Sequence, residues 1–204
     1  TNDLLKPQPG MQILDVGCGA GKQCFLFNDY AKGQAKIIGG DFSEELLDKA
    51  REKNKQVKGN IDFQFLDFNK PFNFADNTFD AVTTGFCMRN VGNLPQAVSE
   101  IRRVMKPGGR FVCLEFSRPV FGWLRALYDW YSFTLLPWVG TKVAHDRTGV
   151  YEYLPASIRT FPDQERLCQV LRTAGFQHVA IGTADELFEL VAAGIAEIFV
   201  DRHR

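Results

Sequence analysis

The feature that most limits what this chain can fold into lies between Met11 and Tyr30. An apolar run, Met11 to Val16, breaks into Gly17, Cys18, Gly19, Ala20 and Gly21, and a helix-compatible stretch follows from Cys24 to Tyr30. A strand that ends in closely spaced glycines and passes into a helix lets the backbone turn tightly and lets a ligand approach within contact distance. Such a unit belongs to open α/β sheets, which bind ligands beyond the carboxyl ends of their strands.

The same rhythm continues along the chain. Lys36 to Gly40, Phe63 to Leu66, Ala81 to Gly85 and Arg110 to Phe116 are the next expected strands, with Asn77 and Asp80 as polar punctuation between the third and fourth. Ser43 is placed to cap a helix from Glu44 to Lys53, where Glu44 and Glu45 face the positive end of the helix dipole. Leu94, Ala97, Val98, Ile101 and Val104 recur at helical spacing until Lys106-Pro107-Gly108-Gly109 stops that helix. Asp163 is a further N-cap, Leu167, Val170, Leu171 and Ala174 form one apolar stripe, and Gly175 ends it. Phe176 to Ile181 and Ile195 to Val200 are candidate closing strands. The expected fold is therefore α/β and Rossmann-like: a mostly parallel seven-stranded sheet with helices on both faces.

A length of 204 residues fits a single domain, 1–204. Residues 118–160 interrupt the alternation and hold all three tryptophans with Tyr128, Tyr131, Tyr151 and Tyr153, which reads as an aromatic-rich substrate lid. Phe121, Trp123, Leu127, Trp130, Leu135, Leu136 and Trp138 cluster there with Arg125 and Asp129 as the charges, a composition suited to peripheral contact with a membrane. Twenty-four basic residues balance twenty-four acidic ones, so no global field favours nucleic acid as a partner. Cys18, Cys24, Cys87, Cys113 and Cys168 show no Cys-x-x-Cys spacing, which argues against a disulfide framework and a metal site and for a reducing compartment.

The glycine spacing bears on the ligand. A dinucleotide fingerprint would put its third glycine at position 22, where Lys22 stands; glycines at 17, 19 and 21 suit S-adenosylmethionine. Asp41, at the end of the second strand and followed by Phe42, can accept both ribose hydroxyls. Asp67, just past the third strand, can accept from the adenine amino group with Phe68 packed on the ring, and Gly85 lets the sulfonium end approach.

With those residues in view, the chain resembles the ubiquinone/menaquinone biosynthesis C-methyltransferase family. The resemblance rests on Asp76-Asn77-Thr78-Phe79-Asp80, Phe86-Cys87-Met88-Arg89-Asn90-Val91, Val104 through Arg110, Leu114-Glu115-Phe116-Ser117, and Tyr151-Glu152-Tyr153-Leu154 through Ser157-Ile158 to Phe161-Pro162. The chain departs from the family pattern at Ala20, where threonine is usual, at Cys87-Met88, where Gly-Leu is usual, and in a longer loop after Asp67. Ala193-Gly194-Ile195 matches the family's C-terminal stretch in part.

The resemblance implies an S-adenosylmethionine-dependent C-methyltransferase acting on a polyprenylated benzoquinol or naphthoquinol. It would be at home in the cytoplasm or mitochondrial matrix, peripheral to the inner membrane, as a homodimer or in a biosynthetic complex. A quinol carbon becomes nucleophilic when a phenol loses a proton that leaves unaided only near pH ~10. Arg89 is the residue to pair with the developing phenolate and hold a water that takes the proton, with Asn90 orienting that water or a ring oxygen. Phe86, Tyr153 and Ser157 are the implied substrate contacts, and His145 and Asp146 are alternative proton acceptors. Three other readings stay open: methyl transfer to another small phenolic or lipid-like acceptor, a non-catalytic nucleotide-binding subunit, and, more distantly, an NAD-dependent oxidoreductase.

Overall fold

Strand β1 (Gln12–Val16) alternates its side chains between the two faces of the sheet: Ile13 packs with one buried cluster and Leu14 and Val16 with another. In this computed structural model, which describes residues 5–116, 122–135, 138, 150–182 and 195–201, both faces are covered by helices. Helix α1 (Lys22–Tyr30) contributes Cys24 and Phe27, and α2 (Glu44–Asn54) contributes Leu47 and Ala50, to the face holding Ile13 and Ile37. On the opposite face Val98, Ile101 and Val104 of α3 (Leu94–Val104) and Leu167, Cys168 and Leu171 of α6 (Gln164–Thr173) meet Leu14, Val82 and Phe111.

The strands follow in the order β3 (Asn60–Phe65), β2 (Lys36–Asp41), β1, β4 (Phe79–Gly85), β5 (Met105–Phe116), β7 (Ile195–Asp201), β6 (Gln177–Gly182). The first five run parallel, and β7 pairs antiparallel with both β5 and β6. From β1 the chain winds outward to β3 and then returns to the other side of β1 as β4. The strand order thus reverses between β1 and β4, where an α/β sheet opens a crevice at its carboxyl edge.

The expected caps form: Ser43 Oγ accepts from Leu46 N, and Asp163 Oδ1 accepts from Arg166 N. Gly175, with φ +89°, ends α6 as its amide donates to Arg172 O. Several boundaries differ from the sequence reading. Asp80 lies inside β4 rather than before it, because its carboxylate accepts from Gln12 N at 2.8 Å and pairs with Lys106 Nζ at 2.8 Å. Strand β3 begins at Asn60, in register with Lys36, and β5 begins at Met105 with extra residues between the pairs Phe79–Met105 and Ala81–Arg110. A side chain at Gly109 would come within 2.8 Å of Lys106 O, which is why the bulge needs glycine there.

Within the expected lid, helix α4 (Gly122–Trp130), a π-helical turn (Tyr131–Leu135) and α5 (Val150–Thr160) are described. Phe121, Leu136, His145, Asp146, Ala193 and Gly194 lie outside the described residues.

Candidate active site

The glycine turn is held against β2 by backbone bonds, Gly17 N and Cys18 N both donating to Gly40 O at 2.7 and 3.1 Å. Gly17 has φ +76°, and a Cβ there would sit 2.4 Å from Cys87 Sγ, so the turn and the segment after β4 touch with no room for a side chain. At Gly21 the constraint is internal: φ is +79° and a Cβ would strike the Phe63 ring at 2.6 Å. Cys18 turns its thiol into the core, so the site can use only its backbone.

Asp41, at the last position of β2, is buried. Its Oδ2 accepts from Gly19 N at 2.8 Å and its Oδ1 from Ser43 N at 2.9 Å. A carboxylate has about four lone-pair sites, so two remain for a ligand. The same side chain therefore shapes the glycine turn and faces the crevice, a double role that sequence reading did not anticipate. Asp67 Oδ1 accepts from Asn69 N at 2.9 Å, and Lys70 pairs with Oδ2 at 3.2 Å; these contacts hold its carboxyl below the usual range.

Gly17, Asp41, Phe42, Asp67, Phe68, Cys87, Asn90 and Tyr153 share the wall of one cavity of ≈510 Å³, with Phe65, Leu66, Asn69 and Val91. That volume is of the order of a small-molecule site, and the wall combines the carboxylates of Asp41 and Asp67 with apolar side chains. Phe42 is 73% exposed at its edge, an unburied ring where an adenine could stack. A larger cavity of ≈690 Å³ is walled by α3, the end of α5 and α6 rather than by strand ends.

The remaining sequence-derived residues are placed differently. A Cβ at Gly85 would meet open space, Ser157 is buried, and neither forms part of that wall. Phe86 stands in the left-handed region at φ +56°, a strained conformation for an aromatic residue, with its ring 4.6 Å from that of Phe116. Arg89 is not part of that wall. Its Nη1 donates to Phe86 O at 2.6 Å and to Glu115 Oε1 at 2.7 Å, and its guanidinium lies 5.1 Å from the Phe116 ring centre. Arg89 Nε is buried with no hydrogen-bond partner. Asn90, next in the chain, accepts from the Tyr153 hydroxyl at 2.6 Å and ties α5 to the turn after β4.

Two buried acids escaped the sequence-derived site. Asp15 accepts from Thr83 Oγ1 at 2.7 Å, and burial raises its carboxyl to about 6. Glu115 was legible only as one letter of a family stretch; a charge within the apolar alternation of β5 was the available signal. Burial pushes the Cys87 thiol up to about 12, which disfavours its thiolate.

A model of the ubiE/COQ5 methyltransferase family matches residues 1–196. This chain belongs to that family. It is similar to the ubiquinone/menaquinone biosynthesis C-methyltransferases UbiE of Paracoccus denitrificans, with 41% identity across 87% of this chain and 70% of that protein, and of Cronobacter sakazakii, with 41% identity across 88% and 71%. Its fold is that of a SAM-dependent methyltransferase from Aquifex aeolicus, TM-score 0.65 and 18% identity, over 98% of this chain and 92% of that one. The [4+2]-cyclase SpnF superposes as well, TM-score 0.71 and 18% identity, over 99% and 78%. The fold alone therefore does not fix the chemistry. Family membership does so at the level of methyl transfer.

Proposed function

We propose that this ubiE/COQ5 family member is an S-adenosylmethionine-dependent C-methyltransferase whose acceptor is a polyprenylated benzoquinol or naphthoquinol in quinone biosynthesis. Support comes from the relatives, which are named for that activity, and from one cavity that gathers most of the residues expected to hold the cofactor together with Asn90 and Tyr153. Gly17, Asp41, Phe42, Asp67 and Phe68 are the residues to hold the nucleoside, and Cys87, Asn90 and Tyr153 line the same cavity. When bound, S-adenosylmethionine supplies an electrophilic methyl group.

The chain's own task is to make the acceptor carbon nucleophilic. The observation that carries this reading is Arg89 Nε, a buried N–H with no partner. An unmet buried donor costs about 1–3 kcal/mol, and such groups concentrate where a ligand is to be received. Arg89 cannot serve as the base, because a guanidinium does not deprotonate in proteins, but it can donate to the acceptor oxygen as negative charge develops there. A water beside Asn90 takes the proton. The Phe86 and Phe116 rings, 4.6 Å apart, put apolar surface next to the Arg89 guanidinium.

We extend the reading to the setting: a reducing compartment, cytoplasm or mitochondrial matrix, with Trp123, Trp130 and Trp138 resting on a membrane that holds the isoprenoid tail. These three rings are exposed, and no helix among the described residues is long and apolar enough to cross a membrane.

The test is incubation of the purified protein with methyl-labelled S-adenosylmethionine and a panel of demethyl quinols, with products read by mass spectrometry. Label on a ring carbon supports the proposal. Label on oxygen alone, or transfer only to non-quinol phenols, would replace it with the neighbouring reading.

A further inference from the structure

Along β5, Phe111 and Cys113 point into the apolar core, and the alternation brings Glu115 to the same face one step further on. A carboxylate that is 2% exposed at such a position is costly. Its partner Arg89 is itself largely buried, with 11% of its side chain accessible. Buried ion pairs of this kind contribute little net stability compared with apolar residues of the same volume. Something other than stability has to explain the charges.

The contacts of Glu115 indicate what that is. Its Oε1 receives Arg89 Nη1 at 2.7 Å and Phe116 N at 2.9 Å, and its Oε2 receives the backbone amide of Arg89 at 3.2 Å. One carboxylate thus fixes both the backbone and the guanidinium of the same arginine. Arg89 Nη1 in turn binds the carbonyl of Phe86, the residue held at φ +56°. With both of these contacts made by Nη1, the donors on Nε and Nη2 are left for a ligand, and Nε is buried.

We infer that Glu115 is the positioning residue for methyl transfer: it fixes the backbone and guanidinium of Arg89 and, through Arg89, holds the strained Phe86 turn that carries Cys87 and Asn90 to the cavity wall. This rests on the reading of Arg89 given above. Glu115 acts through the arginine and does not touch the acceptor.

The test compares Glu115→Gln, Glu115→Asp, Arg89→Met and the double variant Arg89→Met with Glu115→Gln. Steady-state kinetics on a demethyl quinol are read alongside S-adenosylmethionine affinity by calorimetry and melting by circular dichroism. Displacing a reacting group by about 1 Å can cost roughly 10²-fold in rate, so Glu115→Gln should lower kcat about 10- to 100-fold with cofactor affinity unchanged. Glu115→Asp keeps the charge and should retain several times more activity than the glutamine variant. In the Arg89→Met background, Glu115→Gln should cost no further kcat, since the group it positions is gone. Nitrogen-15 spectra give a second readout: the Arg89 Nε–H signal, expected to exchange slowly in wild type because the atom is buried, should be lost or averaged in Glu115→Gln. Wild-type kcat in Glu115→Gln, or losses that multiply in the double variant, would overturn the positioning role while leaving Arg89 in place. Full kcat in Arg89→Met would overturn the parent reading instead. If Glu115→Gln does not fold, an aspartate variant no more active than Arg89→Met, with an unaltered Nε–H signal, overturns the inference equally.

Discussion

The Tyr153 hydroxyl donates to Asn90 Oδ1 across 2.6 Å, joining residues 63 apart in sequence at the wall of the cavity. This bond connects α5, the helix of the aromatic-rich region, to the short turn Met88–Asn90 that follows β4. Tyr153→Phe removes the bond and leaves the ring. A neutral hydrogen bond contributes about 0.5–1.5 kcal/mol, so KM for the quinol should rise roughly 2- to 10-fold with S-adenosylmethionine affinity unchanged. Steady-state kinetics with the acceptor varied would show it, and an unchanged KM would remove Tyr153 from acceptor binding.

Asp41 both braces the glycine turn and faces the cavity. Asp41→Asn keeps the shape but exchanges a charged acceptor for a neutral amide. Hydrogen bonds to charged groups contribute about 1.5–3 kcal/mol, and S-adenosylmethionine binding should weaken within that range by calorimetry. The variant should fold, because one amide oxygen still accepts from a backbone N–H.

Asp15 sets a pH dependence of stability. Burial raises its carboxyl from 3.8 to about 6 in the folded protein, against the hydrogen bonds from Thr83 and Cys24, which lower it. The folded state therefore binds this proton more tightly than the unfolded chain does. That stabilisation is fully present below pH ~4 and is lost as pH rises through 6. By about pH 7 the ionised carboxylate costs on the order of 3 kcal/mol. Asp15→Asn should gain on wild type progressively between pH 4 and pH 7, as measured by denaturant unfolding. A constant difference across that window would mean that Asp15 does not titrate there.

Trp123, Trp130 and Trp138 are each more than half exposed. Replacing Trp123 and Trp130 together with alanine should reduce co-flotation with anionic liposomes several-fold while leaving the melting temperature near wild type, because exposed rings add little to the fold. A large drop in melting temperature with unchanged flotation would make these rings structural.

The parts of the fold visible in the sequence were those fixed by local rules. Ser43 and Asp163 announced their helices through capping chemistry, and the alternation of Ile13, Leu14 and Val16 fits a strand covered on both faces. The glycine turn was legible for the same reason, although Gly21 answers to the Phe63 ring rather than to a ligand. Asp80 read as punctuation because composition cannot show that its carboxylate receives Gln12 N, 68 residues away. Arg89 stood out as a residue, yet its partner Glu115 lies 26 positions later on β5, and only the pairing of β4 with β5 brings the two together.

The strand order also governs how the protein is made. Because β7 lies between β5 and β6, the outer edge of β5 has no neighbour until residues 195–201 are available, and β6 reaches the sheet only through β7. At about 5–20 residues per second, a ribosome leaves that edge open for several seconds while residues 117–194 are added. An unpaired, apolar strand edge is a template for wrong partners. The nascent chain thus passes through a stage in which this edge is open to wrong partners, and the arrival of β7 ends it.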